Sequence, residues 1–226
     1  MKILAIETST KHFSLAVSIG SRKIKQKNIL LKGVLSSSII PAIEQILKTS
    51  GIKAQELDGF AVGLGPGSFT SLRVGLSTIK ALAFALGKPI VGISSLDVLV
   101  MNIKDKSAAQ ICVINDARRN LIYAGLYRNT NGQTKKVSGP HLLTIEELLP
   151  KIKGSTIFVG DAIPLFQERI AAVLGSRAIF AESKQWNPQA KELVALSQQR
   201  LHNKEFNAAE TLVPLYLYPE DCQVKK

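Results

Sequence analysis

The sequence has few of the residues that build metal centres and nucleophilic active sites. It contains two cysteines, Cys112 and Cys222, and three isolated histidines, His12, His141 and His202. This excludes a disulfide framework and a zinc ribbon, and it favours a reducing compartment. No HxxxH or HExxH spacing and no GxSxG turn is present. We therefore predict no catalytic residue, no metal site and no cofactor in the isolated chain.

Acidic residues are also scarce, since 29 Lys and Arg stand against 17 Asp and Glu and leave a formal net charge of +12. Polyanions such as tRNA, other RNA or an anionic lipid face are the expected partners for such a charge. Apolar runs are interrupted by Lys or Gly short of the roughly 20 residues that span a membrane. Residues 1–7 read as a strand rather than a signal peptide. We expect a cytoplasmic protein with no membrane partner.

The apolar pattern of the first half predicts three strands followed by alternating helices and strands. The strands cover residues 2–7, 13–19 and 22–30, a helix begins near residue 35 and closes at Gly51, a strand covers 58–64, a helix 71–86 and a strand 89–93. Pro41 inside the first helix predicts a kink or a later start. This order is typical of an α/β domain.

The second half repeats this plan. With an offset of 108, residues 111–115 fall on residues 3–7, so that Asn115 matches Glu7. The same offset places Leu121, Tyr123 and Tyr127 on Phe13, Leu15 and Ile19. Asn131-Gly132 is a hairpin signal, and residues 156–161 lead from a strand into a helix. A chance alignment of short strands is the alternative. We predict a duplicated α/β architecture with domains over 1–105 and 106–226 and a boundary within 102–110.

A loop with two glycines and one proline joins a predicted strand to the helix at 71–86. Backbone N–H groups at such a junction favour an anion, with Gly65, Gly67, Ser68, Thr70 and Arg73 as the contacts. The loop lacks the Gly-Lys-Ser/Thr ending of a Walker A motif. The simpler interpretation is a sharp turn in which Ser68 or Thr70 caps the helix.

Single acids end the first strand of each half. Glu7 and Asp116 could bind a metal or polarise water if they faced one cleft, whereas a lone acid at a strand end more often caps a turn. Neither has a second group in sequence that completes a catalytic set.

The helix at 71–86 is apolar on nearly every side, with only Arg73, Ser77 and Lys80 suited to water. Such a helix is covered on nearly every side, by its own sheet or by a partner. We predict a helical partner interface in which the first two helices take part. The expected contacts are Ile39, Ile43, Leu76, Ile79, Lys80 and Ala83.

Basic residues cluster on the third strand, where alternation puts Lys23, Lys25 and Lys27 on one face. Together with Lys32, Arg118 and Arg119 they could contact RNA phosphates. The alternative is an edge strand that lysine protects from aggregation. No aromatic residue interleaves with the lysines to stack on bases.

Four segments resemble the TsaB (YeaZ) family. They are residues 3–9, the GPGSFT-x-LR-x-G element at 65–75, Asp116-Ala117-Arg118 with Tyr123, and residues 214–217. The resemblance implies a duplicated actin-like, sugar-kinase-like fold and a role in making N6-threonylcarbamoyladenosine in tRNA. It further implies a TsaD-like catalytic subunit and a TsaE-like ATPase as partners, a homodimer when the chain is alone, and tRNA as the substrate of the complex.

The chain departs from the family pattern at several positions. Glu7 replaces the usual Asp, Ser71 a usual Gly and Tyr218 a usual Arg, and the His-Ser pair at the start of the first helix is absent from residues 33–36. These changes weaken the case for a working nucleotide site around Glu7. The missing HxxxH argues against the catalytic subunit itself.

Three functions remain open from the sequence. The first is a non-catalytic assembly subunit that docks through its first two helices. The second is an actin-like ATPase or kinase that uses Glu7 and the loop at 65–70 around nucleotide phosphates. The third is an RNA-binding module that uses the positive charge.

Overall fold

The chain folds into two compact units. The computed structural model describes residues 1–20, 23–31, 33–104, 108, 110–130 and 133–219. Unit 1 comprises Met1–Val98 and Pro188–Leu215, and unit 2 comprises Leu99–Asn187 with the segment that starts at Tyr216. The sequence places the boundary within 102–110, whereas the chain divides after Val98 and returns to unit 1 at Pro188. The return segment carries a helix that packs on the first sheet.

Unit 1 is built on a five-stranded sheet of order β3-β2-β1-β4-β5. Its strands are β1 (Ile3–Glu7), β2 (His12–Ile19), β3 (Lys23–Leu30), β4 (Gly59–Gly63) and β5 (Ile90–Ile93). The first three strands are antiparallel, and β1, β4 and β5 are parallel. The three strands predicted at the start of the chain are therefore present, and they form an antiparallel meander.

Helices cover both faces of this sheet. They are α1 (Leu35–Ser50), α2 (Phe69–Leu86) and α6 (Ala190–His202), while α3 (Ser95–Val100) follows β5. Leu4 and Ile6 of β1 join the core beneath α1 and α2, and Ile3 and Ala5 join the core beneath α6. The alternation of β1 thus buries both of its faces, as expected for a central strand.

Unit 2 repeats the arrangement with strand order β8-β7-β6-β9-β10. Its strands are β6 (Gln110–Arg118), β7 (Leu121–Thr130), β8 (Gln133–Leu143), β9 (Thr156–Val159) and β10 (Ala178–Phe180), and its helices are α4 (Ile145–Leu148) and α5 (Ile163–Leu174). The core between sheet and helices includes Ile114, Ile122, Phe158, Ile163 and Ile170. The duplicated plan is confirmed.

The residue-level alignment of the repeats is wrong by one position on the second strand. Leu15 pairs with Ile6 in unit 1, and Ala124 pairs with Ile114 in unit 2, so Ala124 rather than Tyr123 matches Leu15. A register shift between Asp116 and Arg118 inserts the extra residue. The core-facing set of β7 is therefore Ile122, Ala124 and Leu126.

Of the two long helices of unit 1, α1 has its predicted bounds and α2 begins earlier than predicted. α1 runs through Pro41, and Pro41 is exposed together with Ser37, the residue whose carbonyl a non-proline residue at 41 would use. Gly51 ends α1 in the left-handed conformation, with φ of 67°, as predicted. α2 begins at Phe69, two residues early, and Ser68 precedes it without capping it through its side chain.

Candidate functional site

Glu7 lies at the end of β1 and is fully buried, with 0% of its surface exposed. One carboxylate oxygen, Oε1, accepts a hydrogen bond from the Ser9 backbone N–H at 2.8 Å. The other, Oε2, accepts one from the Ser95 hydroxyl at 2.8 Å. Glu7 therefore ties the β1–β2 turn to the start of α3, and both oxygens are engaged by the chain itself.

Burial governs the protonation of this carboxyl group. Removal from water penalises the charged form and raises the pKa of Glu7 above its ordinary value, while the hydrogen bonds from Ser9 and Ser95 oppose that rise. The end of β4 leaves room for the carboxylate only because residue 63 is glycine. A Cβ on Gly63 would lie 2.0 Å from Glu7 Oε2.

The Gly-Pro-Gly loop closes over the same turn. Ser68 N–H donates to the Ser9 carbonyl at 2.8 Å, and a Cβ on Gly67 would lie 2.2 Å from that carbonyl oxygen. Gly65 N–H donates to the Ser95 hydroxyl at 3.0 Å, and Ser95 N–H donates to the Gly65 carbonyl at 2.8 Å. Glu7 and Gly65 thus share one buried hydrogen-bonded network, and Gly67 packs closely against its Ser9 carbonyl. The Thr8 and Ser9 hydroxyl oxygens of the same turn are buried with no hydrogen-bond partner among the described residues.

The other expected anion contacts lie outside this network. Ser68, Thr70 and Arg73 are exposed on the first turns of α2. The Ser68 hydroxyl donates to Ser71 Oγ at 3.0 Å, and the Arg73 guanidinium stacks over the Phe69 ring at 3.8 Å from its centre. The structure therefore separates the predicted set into a buried half and an exposed half.

The residues expected at a partner interface lie mostly inside unit 1. Ile39, Ile43, Leu76, Ile79 and Ala83 are buried in the core between the sheet and the two helices, and Lys80 is partly exposed. The five buried side chains cannot meet a partner while unit 1 is folded. This correction arises because the helical period identifies apolar stripes and cannot tell which stripe the chain's own sheet covers.

A different stripe of α2 faces outward. Its members are Phe69, Arg73, Ser77, Ala81 and Phe84, of which Phe84 is 90% exposed and Phe69 53% exposed. These positions recur at intervals of three to four residues and form one helix face. On α1 the exposed large apolar residue is Ile40.

α2 is the one helix among the described residues that is long and apolar enough to cross a membrane by length and composition. Only 28% of its residues are buried. One such helix is weak evidence for a membrane, because a helix that packs on its own sheet passes the same test. Here Leu72, Leu76 and Ile79 are buried in unit 1, so α2 is a core helix with an uncovered apolar face.

The basic strand is used within unit 1. Lys25 Nζ donates to the Thr49 carbonyl in the last turn of α1, and Lys27 Nζ donates to Gln45 Oε1. A cation at the C-terminal carbonyls of a helix is favourable. Lys23 is exposed, Arg118 pairs with Asp116 at 3.0 Å, and Lys32 lies outside the described residues. Lys25 and Lys27 thus hold α1 against the sheet.

Asp116 is tied to its own hairpin in unit 2. Its N–H donates to Asp161 Oδ1 at 2.9 Å, and its carboxylate accepts from the Arg118 N–H at 2.8 Å.

Across the part of the chain that the structure describes, no group of three or more His, Cys, Asp or Glu is placed to hold a metal ion. Cys112 is buried, and burial raises the pKa of its thiol.

Tyr218, one of the departures from the family pattern, packs in unit 2. Its hydroxyl donates to the Ala117 carbonyl at 2.6 Å, and its ring meets that of Tyr123 edge to face at 6.4 Å. Burial, followed by the neighbouring Tyr218 and Asp116, raises the pKa of Tyr123 to about 12. Tyr123 therefore stays neutral at physiological pH.

Sequence reasoning missed the partners of Glu7. Ser95 is 88 residues away in the chain and Gly63 ends a different strand, so no local pattern connects them to Glu7. The parallel pairing of β1 with β4 brings Gly63 alongside Glu7. Since strand order was not predicted in detail, these contacts had no sequence signal.

Known proteins match nearly the whole chain. A family model described as "TsaD: tRNA N6-adenosine threonylcarbamoyltransferase" matches residues 34–225. The Bacillus subtilis tRNA threonylcarbamoyladenosine biosynthesis protein TsaB is 32% identical over 228 aligned residues, covering 100% of this chain and 97% of that protein.

Solved structures agree with this match. A Pseudomonas aeruginosa protein described as similar to peptidase YeaZ superposes with a TM-score of 0.84 at 24% identity, over 96% of this chain and 99% of that one. The Clostridium difficile activator of 2-hydroxyisocaproyl-CoA dehydratase, solved with ADPNP, shares only the fold, with a TM-score of 0.50 at 10% identity over 92% and 99% of the two chains. The two matched sheets and these neighbours establish a duplicated actin-like fold. With a relative 32% identical over its full length, the chain belongs to the TsaB (YeaZ) family.

Proposed function

We propose that this chain is a non-catalytic assembly subunit of the cytoplasmic complex that makes N6-threonylcarbamoyladenosine at position 37 of tRNA. It docks on a TsaD-like catalytic subunit, works with a TsaE-like ATPase, and forms a homodimer when alone. The names of its relatives support the pathway. The absence of an HxxxH pair in the sequence fits a helper rather than the transferase.

The single observation that carries the docking role is the uncovered face of α2. Phe69 and Phe84 expose large aromatic side chains about four helix turns apart, with the small residues Ser77 and Ala81 between them. Small residues permit close helix approach, and exposed aromatic side chains are the usual anchors of protein interfaces. A helix of the catalytic subunit packing along this face would cover both rings.

An ATPase or kinase role has less support. Both Glu7 oxygens are engaged by Ser9 and Ser95, and the loop at 65–67 is bonded to the β1–β2 turn. A nucleotide phosphate that used Glu7 and this loop together would have to displace those hydrogen bonds. The hydrogen bonds to both Glu7 oxygens therefore favour a structural role for Glu7.

Reconstitution tests the non-catalytic assignment. We expect neither the wild-type chain nor Glu7→Gln to modify tRNA alone. Glu7→Gln should support modification when the catalytic subunit, the ATPase and threonylcarbamoyl-adenylate are supplied. Isothermal titration of the isolated chain with ATP and Mg²⁺ should give no tight binding. Collapse of the reconstituted reaction with complex formation intact would instead make Glu7 part of a working site.

A further inference from the structure

The far end of the β7–β8 hairpin presents two cations to each other. Arg128 and Lys135 are directly opposite residues of this antiparallel pair, so their side chains leave the same face of the sheet. Both are exposed. Like charges placed directly opposite each other destabilise a sheet, which marks this pair as a cost to the fold.

Nothing in the hairpin relieves the repulsion. Residues 117–145 include no Asp or Glu, and within the described ranges neither the Arg128 nor the Lys135 side chain forms a hydrogen bond or an ion pair. The pair is also held in register from the opposite face, where Thr134 Oγ1 donates to Asn129 Oδ1 at 2.9 Å and Asn129 Nδ2 donates to the Ala108 carbonyl at 3.0 Å. The two cations are thus kept side by side with no internal counter-charge.

We propose that Arg128 and Lys135 form a phosphate-binding clamp for the backbone of an RNA. Opposite residues of an antiparallel pair stand about 5 Å apart at Cβ, close enough for one phosphate group or two successive ones to contact both. The planar guanidinium pairs with phosphate oxygens through two N–H groups, and the lysine ammonium adds a point charge. The clamp rests on the proposed function only in taking the polyanion to be RNA.

Charge complementarity favours an RNA backbone over a membrane surface as the ligand of Arg128 and Lys135. Phosphate backbones carry one charge per residue, so they neutralise closely spaced cations along an extended surface. An interfacial membrane contact also requires apolar side chains, and next to the pair the strand offers only Val137 as an exposed large apolar residue. The third strand of unit 1 is not the site, because Lys25 and Lys27 donate to α1.

Salt-dependent tRNA binding tests the clamp. The full chain is titrated into a fluorescently labelled, unmodified tRNA transcript between about 0.05 and 0.3 M salt, and anisotropy gives the affinity. For the double variant Arg128→Gln with Lys135→Gln we expect a salt slope smaller by about 2 and an affinity about tenfold lower near 0.1 M salt. The matched control, Lys11→Gln with Lys48→Gln, removes two exposed charges from unit 1 and should keep the wild-type slope.

Several outcomes would overturn the clamp. One is the absence of tRNA binding by the wild-type chain at about 0.05 M salt. Another is an equal loss of tRNA affinity in both double variants, which would show that the effect depends on net charge alone. If vesicles containing phosphatidylserine bind through Arg128 and Lys135 while tRNA does not, the surface is a lipid contact instead. The clamp variants should still dock on the catalytic subunit. Failure of docking by the wild-type chain would affect the proposed function and leave the tRNA result standing.

Discussion

In unit 1 the first strand ends on Glu7, whose two carboxylate oxygens accept hydrogen bonds from Ser9 and Ser95. The matching strand of unit 2 reaches Asn115, whose amide oxygen is buried with no partner among the described residues. Each side chain lies against a glycine at the end of the neighbouring parallel strand. This glycine is Gly63, the last residue of β4, in unit 1 and Gly160, which directly follows β9, in unit 2. The repeat therefore conserves a close contact between strand ends while its polar chemistry has diverged.

The basic hairpins diverge in the same way. In unit 1, Lys25 and Lys27 stand opposite the apolar residues Val17 and Leu15, and both lysines donate to α1. In unit 2, Lys135 stands opposite Arg128. The lysines of the β2–β3 hairpin therefore bond to their own unit, whereas the cations of the β7–β8 hairpin lie exposed at the surface.

The helices that follow the second parallel strands differ as well. The exposed face of α2 is apolar apart from Arg73 and Ser77, whereas α5 exposes Glu168 and Arg169 beside Leu165. Arg169 pairs with Glu146 at 3.6 Å. We infer that two copies of one fold present different surfaces, with unit 1 suited to a protein helix and unit 2 to a polyanion.

The largest expected effect concerns the strand-end contact. Gly63→Ala places a Cβ 2.0 Å from the buried carboxylate of Glu7, so we expect a loss of about 3 kcal/mol in the free energy of unfolding. Gly160→Ala should cost at least as much, because its Cβ would lie 2.0 Å from the Ile114 carbonyl and its φ is 134°. Urea unfolding measures both.

Gly33→Ala is the control for these variants, since a Cβ there meets nothing within 4 Å. Its effect on the free energy of unfolding should stay within about 0.5 kcal/mol. Wild-type stability of Gly63→Ala would show that the Glu7 contact is not as tight as described.

The next effect concerns docking. Phe84→Arg puts a charge near the C-terminal end of the uncovered face of α2. Loss of an aromatic anchor typically costs about 2 to 4 kcal/mol, or roughly thirtyfold to a thousandfold in affinity for the catalytic subunit. Calorimetry measures the binding, and an unchanged circular dichroism spectrum shows that the fold survives. Leu165→Arg, which changes an exposed apolar residue of α5, should bind normally. Equal weakening by both variants would remove the contrast between the units.

A smaller effect concerns Glu7 and pH. Burial raises the pKa of Glu7 in the folded protein above its ordinary value of 4.5. Protonation of Glu7 therefore stabilises the folded state fully below about pH 4.5, and this stabilisation is lost as the pH rises through the folded-state pKa. Glu7→Gln stays neutral, so it should gain stability relative to wild type over that rise, by at most about 1.4 kcal/mol per pH unit.

Urea unfolding at a series of pH values gives this comparison, with Glu44→Gln as an exposed control that retains the wild-type pH dependence. Parallel curves for wild type and Glu7→Gln would mean that the hydrogen bonds from Ser9 and Ser95 fully offset the burial of the carboxylate.

The smallest effect has opposite signs for stability and binding. Lys135→Glu turns the facing pair into an attractive one with Arg128 and should raise the free energy of unfolding by about 0.5 kcal/mol. The same change should weaken tRNA binding. Thermal melts measure the stability and the anisotropy titration measures the binding. A variant that lost both stability and tRNA binding would contradict the claim that Arg128 and Lys135 repel each other in the folded protein.

Much of the fold was predictable from the sequence, because strand alternation and the helical period depend on local residues. The duplicated plan, the end of α1 at Gly51 and the strand at β4 follow from those periods. The one-residue error on β7 arose at the irregularity between Asp116 and Arg118, which no propensity indicates.

The candidate sites were predictable only in part. The sequence predicted α2 as an interface helix, but the residues that it named there, such as Ile79 and Ala83, are buried in unit 1. It pointed to lysines on β3 without the contact between Lys25 and α1, which depends on tertiary packing. The facing pair of Arg128 and Lys135 depends on the register of β7 with β8, and that register became clear only in the structure.

Hydroxyl-radical footprinting of the full chain, with and without a saturating amount of the catalytic subunit, tests the central claim most directly. Phenylalanine rings react readily, so Phe84 and Phe69 report on the outer face of α2 while Leu165 reports on α5. We predict that the labelling of Phe84 and Phe69 falls several-fold in the complex and that Leu165 is unchanged. Unaltered labelling of Phe84 in the saturated complex would contradict docking through α2.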